Sequence, residues 1–436
     1  MKRILYIIID LVIIYGSILL VFYLFDINSL LKDFEKNLNA FLIVTPFIGL
    51  FYFIFQYVYD LFNIIRRGIG DVVYSVFLVS ISLMISTMGV CFLIRDASLA
   101  FPRSVLLVSG FLYFVLLSLE KTFVWNIGRK SHGIKKIAVI SSKNDKLADE
   151  IESRYSNFYK IEHKGNETDV LTPEDINSVD EVFLSTDVSN SVRKRVLALC
   201  INTNKDIFFV PTFFDLSIMS STFFKTGDIP TYRISNVPIS SDKKIIKRAM
   251  DLVLSSIALV VFSPIILILI ALIKFDGGPA FYIQERLTEG GKIFKMIKFR
   301  TMIPDAEKVS GPVLAGQNDP RITKIGNFMR TVRLDEVPQL INILRGEMSI
   351  VGPRPERPFF TEQFQKEMPE YSYRLKVKAG LTGLAQVEGK YNTSAEDKLR
   401  YDLIYINNFS LWNDIVIILQ TIKILFMKSS TEGVSN

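Results

Sequence analysis

Residues 259–273 read LVVFSPIILILIALI, an apolar run that a serine and a proline interrupt near its middle. From Asp251 to Ile273 the chain has enough apolar residues to cross a membrane, which takes about 20. Pro264 removes one helical hydrogen bond and clashes with the preceding turn, at a cost of about 3 kcal/mol. In lipid the freed carbonyl needs a partner, and the Ser263 hydroxyl is a nearby candidate. The course of this segment decides on which side of the membrane the following residues lie.

The charges on both flanks of this run favour a segment that enters the membrane and returns. Basic residues precede it (Lys243, Lys244, Lys247, Arg248) and follow it (Lys274, Arg286, Lys292, Lys295). Because basic flanks stay in the cytoplasm, a single crossing cannot satisfy both sides. A re-entrant helix over 248–274, bent at Ser263-Pro264, satisfies them. A kinked helix that crosses once also tolerates proline, so that alternative stays open.

Four long apolar segments fill the first part of the chain, at about 4–25, 40–62, 72–94 and 98–124. Each reaches the ~20 residues that span ~30 Å of hydrocarbon. Basic residues precede the first segment, separate the second from the third and follow the fourth, whereas the other loops are charge-balanced or short. Positive-inside counting predicts a four-helix membrane bundle over 1–128, with residue 129 onward in the cytoplasm. Asp10 and Glu120 are explained better by snorkelling or helix pairing than by a proton path.

Short apolar stretches alternate with polar, helix-like ones between the fourth segment and the LVVFSP run. KKIAVIS (135–141), DEVFLST (180–186) and KDIFFVP (205–211) predict buried strands, and DKLADEIESRY and VRKRVLALCINT predict helices. This alternation is typical of a parallel α/β domain, here Rossmann-like and spanning 129–238. The place of a G-x-G-x-x-G fingerprint reads SSKNDKLA, without glycine, so dinucleotide binding is not expected.

Composition excludes several classes of site and protein. With 49% hydrophobic residues the chain is too apolar for an ordinary soluble protein, and two histidines exclude a histidine metal cluster. Two cysteines cannot form a disulfide framework. The net charge of +7 fits anionic lipid or phosphorylated substrates, although an ordinary solvated basic surface is equally compatible.

The stretch LDEVPQLINILRG (334–346) places two adjacent carboxylates at a predicted helix start. Asp335 is a good N-cap, Pro338 is tolerated in the first turn, and Gly346 closes the helix. Adjacent side chains on a helix diverge by about 100°, so Asp335 and Glu336 fit separate roles. One can attack a phosphorus atom while the other holds a divalent cation. The alternative is an acidic cap with no further role.

Basic residues surround this pair in the sequence and suit a diphosphate, because arginine binds phosphate bidentately and lysine acts as a point charge. Ion pairs with nearby acidic residues are the alternative for many of them. The predicted phosphate-binding residues are Lys298, Arg300, Arg321, Arg330 and Arg354, with Arg333 and Arg357 in the same cluster.

Six blocks in a fixed order carry a resemblance to a known family. They are KRAMDLVLS with the Ser263-Pro264 break, FYIQER, KIFKMIKFRTM, DPRITKIGNFMR, RLDEVPQLINILRGEMSIVGPRPERP and VKAGLTGLAQVEGKYN. Over about 243–428 the chain resembles the bacterial sugar transferases, which are polyprenol-phosphate hexose-1-phosphate transferases of exopolysaccharide and glycan biosynthesis. The four apolar segments and the α/β domain resemble the large form of that family. Two positions depart from its pattern: Asp276-Gly277-Gly278-Pro279 replaces S-P-G-P, and Arg333 stands where Ser or Thr is common.

The resemblance implies a mechanism and a set of site residues. Asp335 would attack the sugar-bearing phosphate of a UDP-sugar, releasing UMP, and undecaprenyl phosphate would then take the phosphosugar. Mg²⁺ would be held at Glu336, together with Asp335. Lys298, Arg330 and Arg354 match motif positions and would contact phosphate. The Ser-Pro helix would be re-entrant.

These observations predict an integral protein of the bacterial cytoplasmic membrane. Its fold would combine the membrane α-helical bundle, the Rossmann-like α/β domain and a mostly α, membrane-embedded catalytic domain (239–436) that faces the cytoplasm. The C-terminal stretch LWNDIVIILQTIKILFM would lie in the membrane interface or pack on the catalytic domain. The expected partners are a UDP-sugar, undecaprenyl phosphate and membrane lipid, but no nucleic acid; a homodimer and polysaccharide assembly proteins stay open.

Two other functions compete with this prediction. A nucleotide-sugar-modifying oxidoreductase is disfavoured because the glycine fingerprint is missing. A non-catalytic membrane scaffold for polysaccharide assembly is disfavoured by the Asp335-Glu336 pair in its basic surroundings.

Overall fold

The computed structural model describes residues 2–28, 34–93, 102–141, 146–166, 172–219, 221–234, 239–275, 277–303, 319–390 and 393–425. The chain divides into two compact units, Met1–Val210 and Pro211–Asn436.

Four long apolar helices open the first unit. They are α1 (Lys2–Ile27), α2 (Phe34–Val58), α3 (Ile69–Leu93) and α4 (Arg103–His132). All four exceed the ~20 residues that a membrane crossing needs, which confirms the predicted apolar helices. Residues 29–33 and 94–101, on which the charge count partly relied, lie outside the described residues.

A buried ion pair connects α1 with α4. Lys121 Nζ lies 2.6 and 2.8 Å from the two Asp10 carboxylate oxygens, and both side chains are almost fully buried. Gln56 on α2 donates to the same carboxylate at 3.3 Å, and the Glu120 carboxylate lies 3.0 Å from Lys121 Nζ. Helix pairing, one of the two predicted explanations, therefore accounts for Asp10, whereas Glu120 contacts the adjacent residue of its own helix.

A four-stranded parallel sheet follows the helices, with strands β1 (Lys135–Ile140), β2 (Tyr159–Gly165), β3 (Glu181–Leu184) and β4 (Asp206–Phe209). The strand order is β2-β1-β3-β4. Its central strands β1 and β3 are rich in buried Val, Ile and Leu, as strands covered on both faces are. The three predicted strands are confirmed, whereas β2 was not predicted because its exposed positions carry charged residues. Three helices alternate with the strands: α5 (Lys146–Tyr155), α6 (Pro173–Ser178) and α7 (Asn190–Asn202).

The second unit mixes helices with three two-stranded sheets. Its elements are α8 (Phe213–Met219), β5 (Thr222–Thr226), β6 (Ile229–Arg233), α9 (Ser241–Phe275), β7 (Phe281–Leu287), β8 (Ile293–Phe299), α10 (Lys324–Thr331), α11 (Gln339–Arg345), β9 (Ser349–Val351), α12 (Pro358–Glu367), β10 (Gly380–Thr382), α13 (Leu384–Glu388), α14 (Ala395–Asn407) and α15 (Leu411–Leu425). Strand pairs β5–β6 and β7–β8 are antiparallel, and β9–β10 is parallel.

Helix α9 contains the LVVFSP run and continues through Ser263 and Pro264. Because Pro264 has no N–H, the carbonyl of Val260 loses its helical donor. The Ser263 hydroxyl donates to that carbonyl at 2.7 Å, so the predicted partner is confirmed. With α9, five described helices are long and apolar enough to cross a membrane.

Both ends of α9 pack on the same unit. Near its start, Asp251 is buried and accepts hydrogen bonds from Ser349 Oγ at 3.1 Å and from the Ile350 amide at 3.0 Å. Near its end, Leu269 and Ile273 join a buried cluster with Phe299 and Met329. The apolar stretch between these contacts is exposed, with Val260 at 74% and Val261 at 65%.

The core of this unit forms where α11 packs against β8 and α9. Leu340 and Ile343 of α11 are buried with Phe294 and Met296 of β8. Helix α11 ends at Gly346, whose left-handed φ of 83° confirms the predicted closing glycine. Helix α15 adds Ile417 to this core and leaves Trp412 41% exposed. Of the two alternatives for the C-terminal helix, packing on the core is therefore observed.

Candidate active site

Asp335 and Glu336 lie in a tight turn before α11. Arg333 adopts a left-handed conformation (φ 53°), residues Leu334–Glu336 form a 3-10 turn, and Pro338 precedes the α-helix as its cap residue. The prediction that Asp335 caps the helix is therefore wrong, because the α-helical hydrogen bonding begins only after the proline. The turn still directs both carboxylates toward the basic residues of the neighbouring strand and loop.

The Glu336 carboxylate is buried and forms ion pairs with two cations. Its Oε1 accepts hydrogen bonds from Lys298 Nζ at 3.0 Å and from Arg354 Nη2 at 2.8 Å. Burial alone would raise the pKa of Glu336, but the charges of Arg354 and Lys298 outweigh it and hold the pKa well below its usual value. Glu336 is thus ionised and fixed in place at neutral pH.

The Asp335 carboxylate is partly buried and accepts no hydrogen bond from a described residue. Burial, and then the neighbouring charge of Glu336, raises its pKa to about 6, although Lys298, Arg330 and Arg354 act in the opposite direction. A carboxylate that is ionised at neutral pH and keeps its lone pairs is suited to nucleophilic attack.

Arg330 approaches the site from the last turn of α10. Its Nε donates to Thr301 Oγ1 at 2.9 Å. Gly326 allows the close contact between α10 and the Thr301 backbone, because a Cβ there would lie 2.0 Å from the Thr301 carbonyl oxygen. Thr301 was not predicted as a site residue. It directly follows Arg300, and nothing in the sequence indicates that its hydroxyl contacts Arg330.

The loop that carries Arg354 is held by two further arginines. Arg374 donates to the Arg354 carbonyl at 2.9 Å and forms a buried ion pair with Asp402 at 2.8 Å. Arg286 donates to the Pro355 carbonyl at 3.1 Å. Sequence reasoning missed Arg374 and Asp402, because their distance along the chain gives no sign that they pair.

Arg300 and Arg321, two predicted phosphate ligands, have other partners. Arg300 is 7% exposed and donates to the Ile273 carbonyl at 3.1 Å, so it holds the end of α9. Arg321 forms a chelating ion pair with Asp319, with Nε 2.8 Å from Oδ1 and Nη2 2.5 Å from Oδ2. The structure thus brings Lys298 and Arg354 to Glu336, whereas these two arginines are engaged elsewhere.

The two carboxylates match a minimal magnesium donor set. The described part of the chain has no group of three or more His, Cys, Asp or Glu side chains arranged for a metal ion. Magnesium at phosphoryl-transfer sites, however, is bound through one or two carboxylates plus substrate phosphates. Asp335 and the Glu336 Oε2, which accepts no hydrogen bond from the described residues, fit that requirement.

Comparison with known proteins identifies a matching family and several relatives of the chain. The family model described as bacterial sugar transferase matches residues 242–428. The chain is 42% identical over 182 residues to the UDP-N-acetylgalactosamine-undecaprenyl-phosphate N-acetylgalactosaminephosphotransferase of Aeromonas hydrophila, covering 41% of this chain and 43% of that protein. It is 34% identical over 266 residues to the UDP-glucose:undecaprenyl-phosphate glucose-1-phosphate transferase of Escherichia coli, covering 59% and 57%.

A third relative is matched over most of its length. The exopolysaccharide production protein ExoY of Rhizobium meliloti is 41% identical over 191 residues, which are 40% of this chain and 83% of that protein. In contrast, the chain spans about half the length of most of the other curated relatives it matches.

Proposed function

The chain belongs to the bacterial sugar transferase family, and from this membership we propose that it transfers a sugar 1-phosphate from a UDP-sugar to undecaprenyl phosphate. The products would be UMP and undecaprenyl-diphosphate-sugar, the first lipid-linked unit of an exopolysaccharide, capsule or glycan repeat. The names of the A. hydrophila and E. coli relatives support both substrates. The observation that carries the proposal is the accessible Asp335 carboxylate beside an ionised Glu336 with two cations.

In the first step an Asp335 oxygen attacks the sugar-bearing phosphorus of the UDP-sugar. The bond from this phosphorus to the bridging oxygen breaks, UMP leaves with that oxygen, and an acyl phosphate remains in which Asp335 carries the phosphosugar. In the second step a phosphate oxygen of undecaprenyl phosphate attacks the same phosphorus. The Asp335–phosphorus bond breaks, which regenerates the carboxylate and releases the diphosphate-linked sugar.

The cations of the site stabilise the charge that develops on the phosphate oxygens. Arg354 keeps free N–H donors because only one Nη2 contact goes to Glu336, and its side chain is 43% exposed. Lys298 adds a point charge at the same Glu336 oxygen. Mg²⁺, held by Glu336 and Asp335, would neutralise further charge on the diphosphate.

The proposed enzyme would act at the cytoplasmic face of the bacterial membrane, with a re-entrant α9 and a Rossmann-like α/β domain. Both ends of α9 pack on the unit that carries Asp335, while its apolar middle is exposed. A helix that enters the membrane and returns leaves both ends on the side where nucleotide sugars occur.

The membrane course of α9 predicts the labelling of an engineered cysteine. In a chain with Cys91 and Cys200 replaced by alanine, Lys274→Cys is expected to resist membrane-impermeant thiol reagents in intact cells. Asn28→Cys, which follows α1 and is exposed, serves as the positive control, because the predicted topology places it outside. Labelling at position 274 as strong as at position 28 contradicts a re-entrant α9.

The raised pKa of Asp335 predicts the pH dependence of the first step. The carboxylate attacks only when ionised, so kcat/KM for UMP release should fall as the pH is lowered through about 6. Stopped assays between pH 5 and pH 8, on either side of that value, test it. A kcat/KM that stays constant from pH 8 to pH 5, as for a carboxyl with the ordinary aspartate pKa of ~4, would contradict this environment for Asp335.

A direct assay of the proposed function measures UMP release by the purified protein in detergent. Each of several UDP-sugars is supplied with Mg²⁺, with and without undecaprenyl phosphate. Turnover beyond one UMP per protein should require undecaprenyl phosphate and favour one UDP-sugar. No release with any UDP-sugar would reject the transferase in favour of a scaffold, and oxidation of the sugar would favour an oxidoreductase.

A further inference from the structure

A charged cavity lies at the start of α9, separate from the Asp335 turn. Its volume is about 200 Å³. Four cations and two acids line it: Lys244, Lys247, Arg248, Lys378, Asp251 and Glu289. None of these side chains is among those that contact Glu336, and the proposed sugar transfer uses none of them.

The acids and carbonyls around the cavity compensate only part of its positive charge. Lys244 pairs with Glu289 at 2.7 Å, and Lys247 pairs with the buried Asp414 at 2.6 Å. Arg248 donates instead to the Ile343 and Leu344 carbonyl oxygens, at 2.6 and 2.8 Å, which carry no full charge.

Asp251 lines the same cavity but forms no close ion pair with Arg248 or Lys378. Its Oδ1 is already shared between the Ser349 hydroxyl and the Ile350 amide. Since hydrogen bonds from two donors hold this carboxylate in place, it serves the packing of α9 on β9. A positive charge at Arg248 thus stays without an acidic partner in the cavity.

Lys378 adds a second cation beside Arg248. A Cβ placed on Gly346 would lie 3.3 Å from Arg248 Nη2 and 3.7 Å from Lys378 Nζ, so both nitrogens border the same point. Lys378 Nζ makes no hydrogen bond or close ion pair with the residues that the structure describes. Burial, and then the charge of Arg248, lowers the pKa of Lys378, although Glu289 and Asp251 act in the opposite direction.

Two neighbouring cations in a partly buried cavity repel each other unless an anion lies between them. The cavity also adjoins the start of α9, where Ile245 is 70% exposed and Ile246 53% exposed. An apolar helix surface beside a basic cavity suits a molecule with both an acyl chain and a phosphate.

We propose that this cavity binds the headgroup phosphate of an anionic phospholipid, with Arg248 and Lys378 donating to the phosphate oxygens. The bound lipid would hold the start of α9 at the membrane surface. The anion site depends on the cavity alone, whereas its lipid source also depends on the proposed membrane course of α9.

The test compares lipid retention by the full chain and by charge variants. Native mass spectrometry is performed on detergent-purified protein equilibrated with phosphatidylglycerol or phosphatidylcholine. The unmodified chain should retain one phosphatidylglycerol, and Lys378→Gln should weaken retention about tenfold, as expected when one charge-assisted hydrogen bond is lost. Phosphatidylcholine retention should be weak and unchanged by the substitution.

Two further variants separate the site from general charge and folding effects. Lys366→Gln removes the same charge from an exposed position on α12 and should leave retention unchanged. Lys378→Arg keeps the charge and should restore it. Equal phosphatidylglycerol retention by the unmodified chain and Lys378→Gln overturns the proposal. So does a Lys378-dependent affinity for inorganic phosphate without any for phosphatidylglycerol, which would assign the cavity to a soluble anion.

Discussion

Replacing Asp335 by asparagine is expected to abolish UMP release, lowering the rate by roughly 10⁴-fold or more, as in enzymes that lose a covalent nucleophile. The amide of asparagine has no ionised oxygen to attack phosphorus. The variant should fold normally, because asparagine has the same shape as aspartate. No hydrogen bond is lost either, since Asp335 accepts none from the described residues. UMP release with saturating UDP-sugar and undecaprenyl phosphate measures the effect.

Asp228→Asn is the matched control for this substitution. Asp228 is fully exposed in the turn between β5 and β6, so the same change of one charge there should leave the rate unaltered. Normal rates in Asp335→Asn would reject the covalent mechanism even if the chain proved to be a transferase.

The second large effect is expected at Glu336. Glu336→Gln removes the negative charge that Lys298 and Arg354 share, which misplaces the phosphate-binding cations and weakens the proposed magnesium site. We expect UMP release to fall by about 10²- to 10³-fold, the range for losing one preorganised electrostatic group. Breaking a buried pair also costs about 3–5 kcal/mol of stability, so thermal unfolding is measured alongside.

A pH profile distinguishes this electrostatic role from a structural one. Because the charge of Glu336 raises the pKa of Asp335, its removal should move the acid limb of kcat/KM to a pH below about 6. Glu362→Gln, a substitution at an exposed position on α12, should change neither the rate of UMP release nor the acid limb of kcat/KM. A slower Glu336→Gln enzyme with an unmoved acid limb would mean that the two carboxylates do not interact as the geometry indicates.

The sequence predicted the elements whose cause is local. The apolar runs became helices, the Ser263 hydroxyl took the carbonyl that Pro264 leaves free, and Gly346 closes α11. Each of these follows from a few neighbouring residues. The same reasoning failed for Asp335, because the left-handed Arg333 starts a 3-10 turn that delays the helix beyond Pro338.

Contacts between residues far apart in the sequence could not be predicted, because they depend on the tertiary fold and not on neighbouring residues. Lys298 and Arg354 meet at one oxygen of Glu336 only because β8 and the loop after β9 fold against the turn. Arg300, with the same chemistry as Arg354, instead binds the carbonyl end of α9. The many basic residues in this part of the sequence predicted a basic site. Which of these cations lie in the site is decided by the tertiary fold.

The covalent intermediate is the central claim, and peptide mass spectrometry tests it most directly. The purified chain is incubated with UDP-sugar and Mg²⁺ without undecaprenyl phosphate, then quenched in acid and digested. A phosphosugar mass added to the peptide that contains Asp335, and lost again when undecaprenyl phosphate is supplied before quenching, is the predicted result. An unmodified Asp335 peptide from protein that still transfers the sugar phosphate when lipid is present would contradict it.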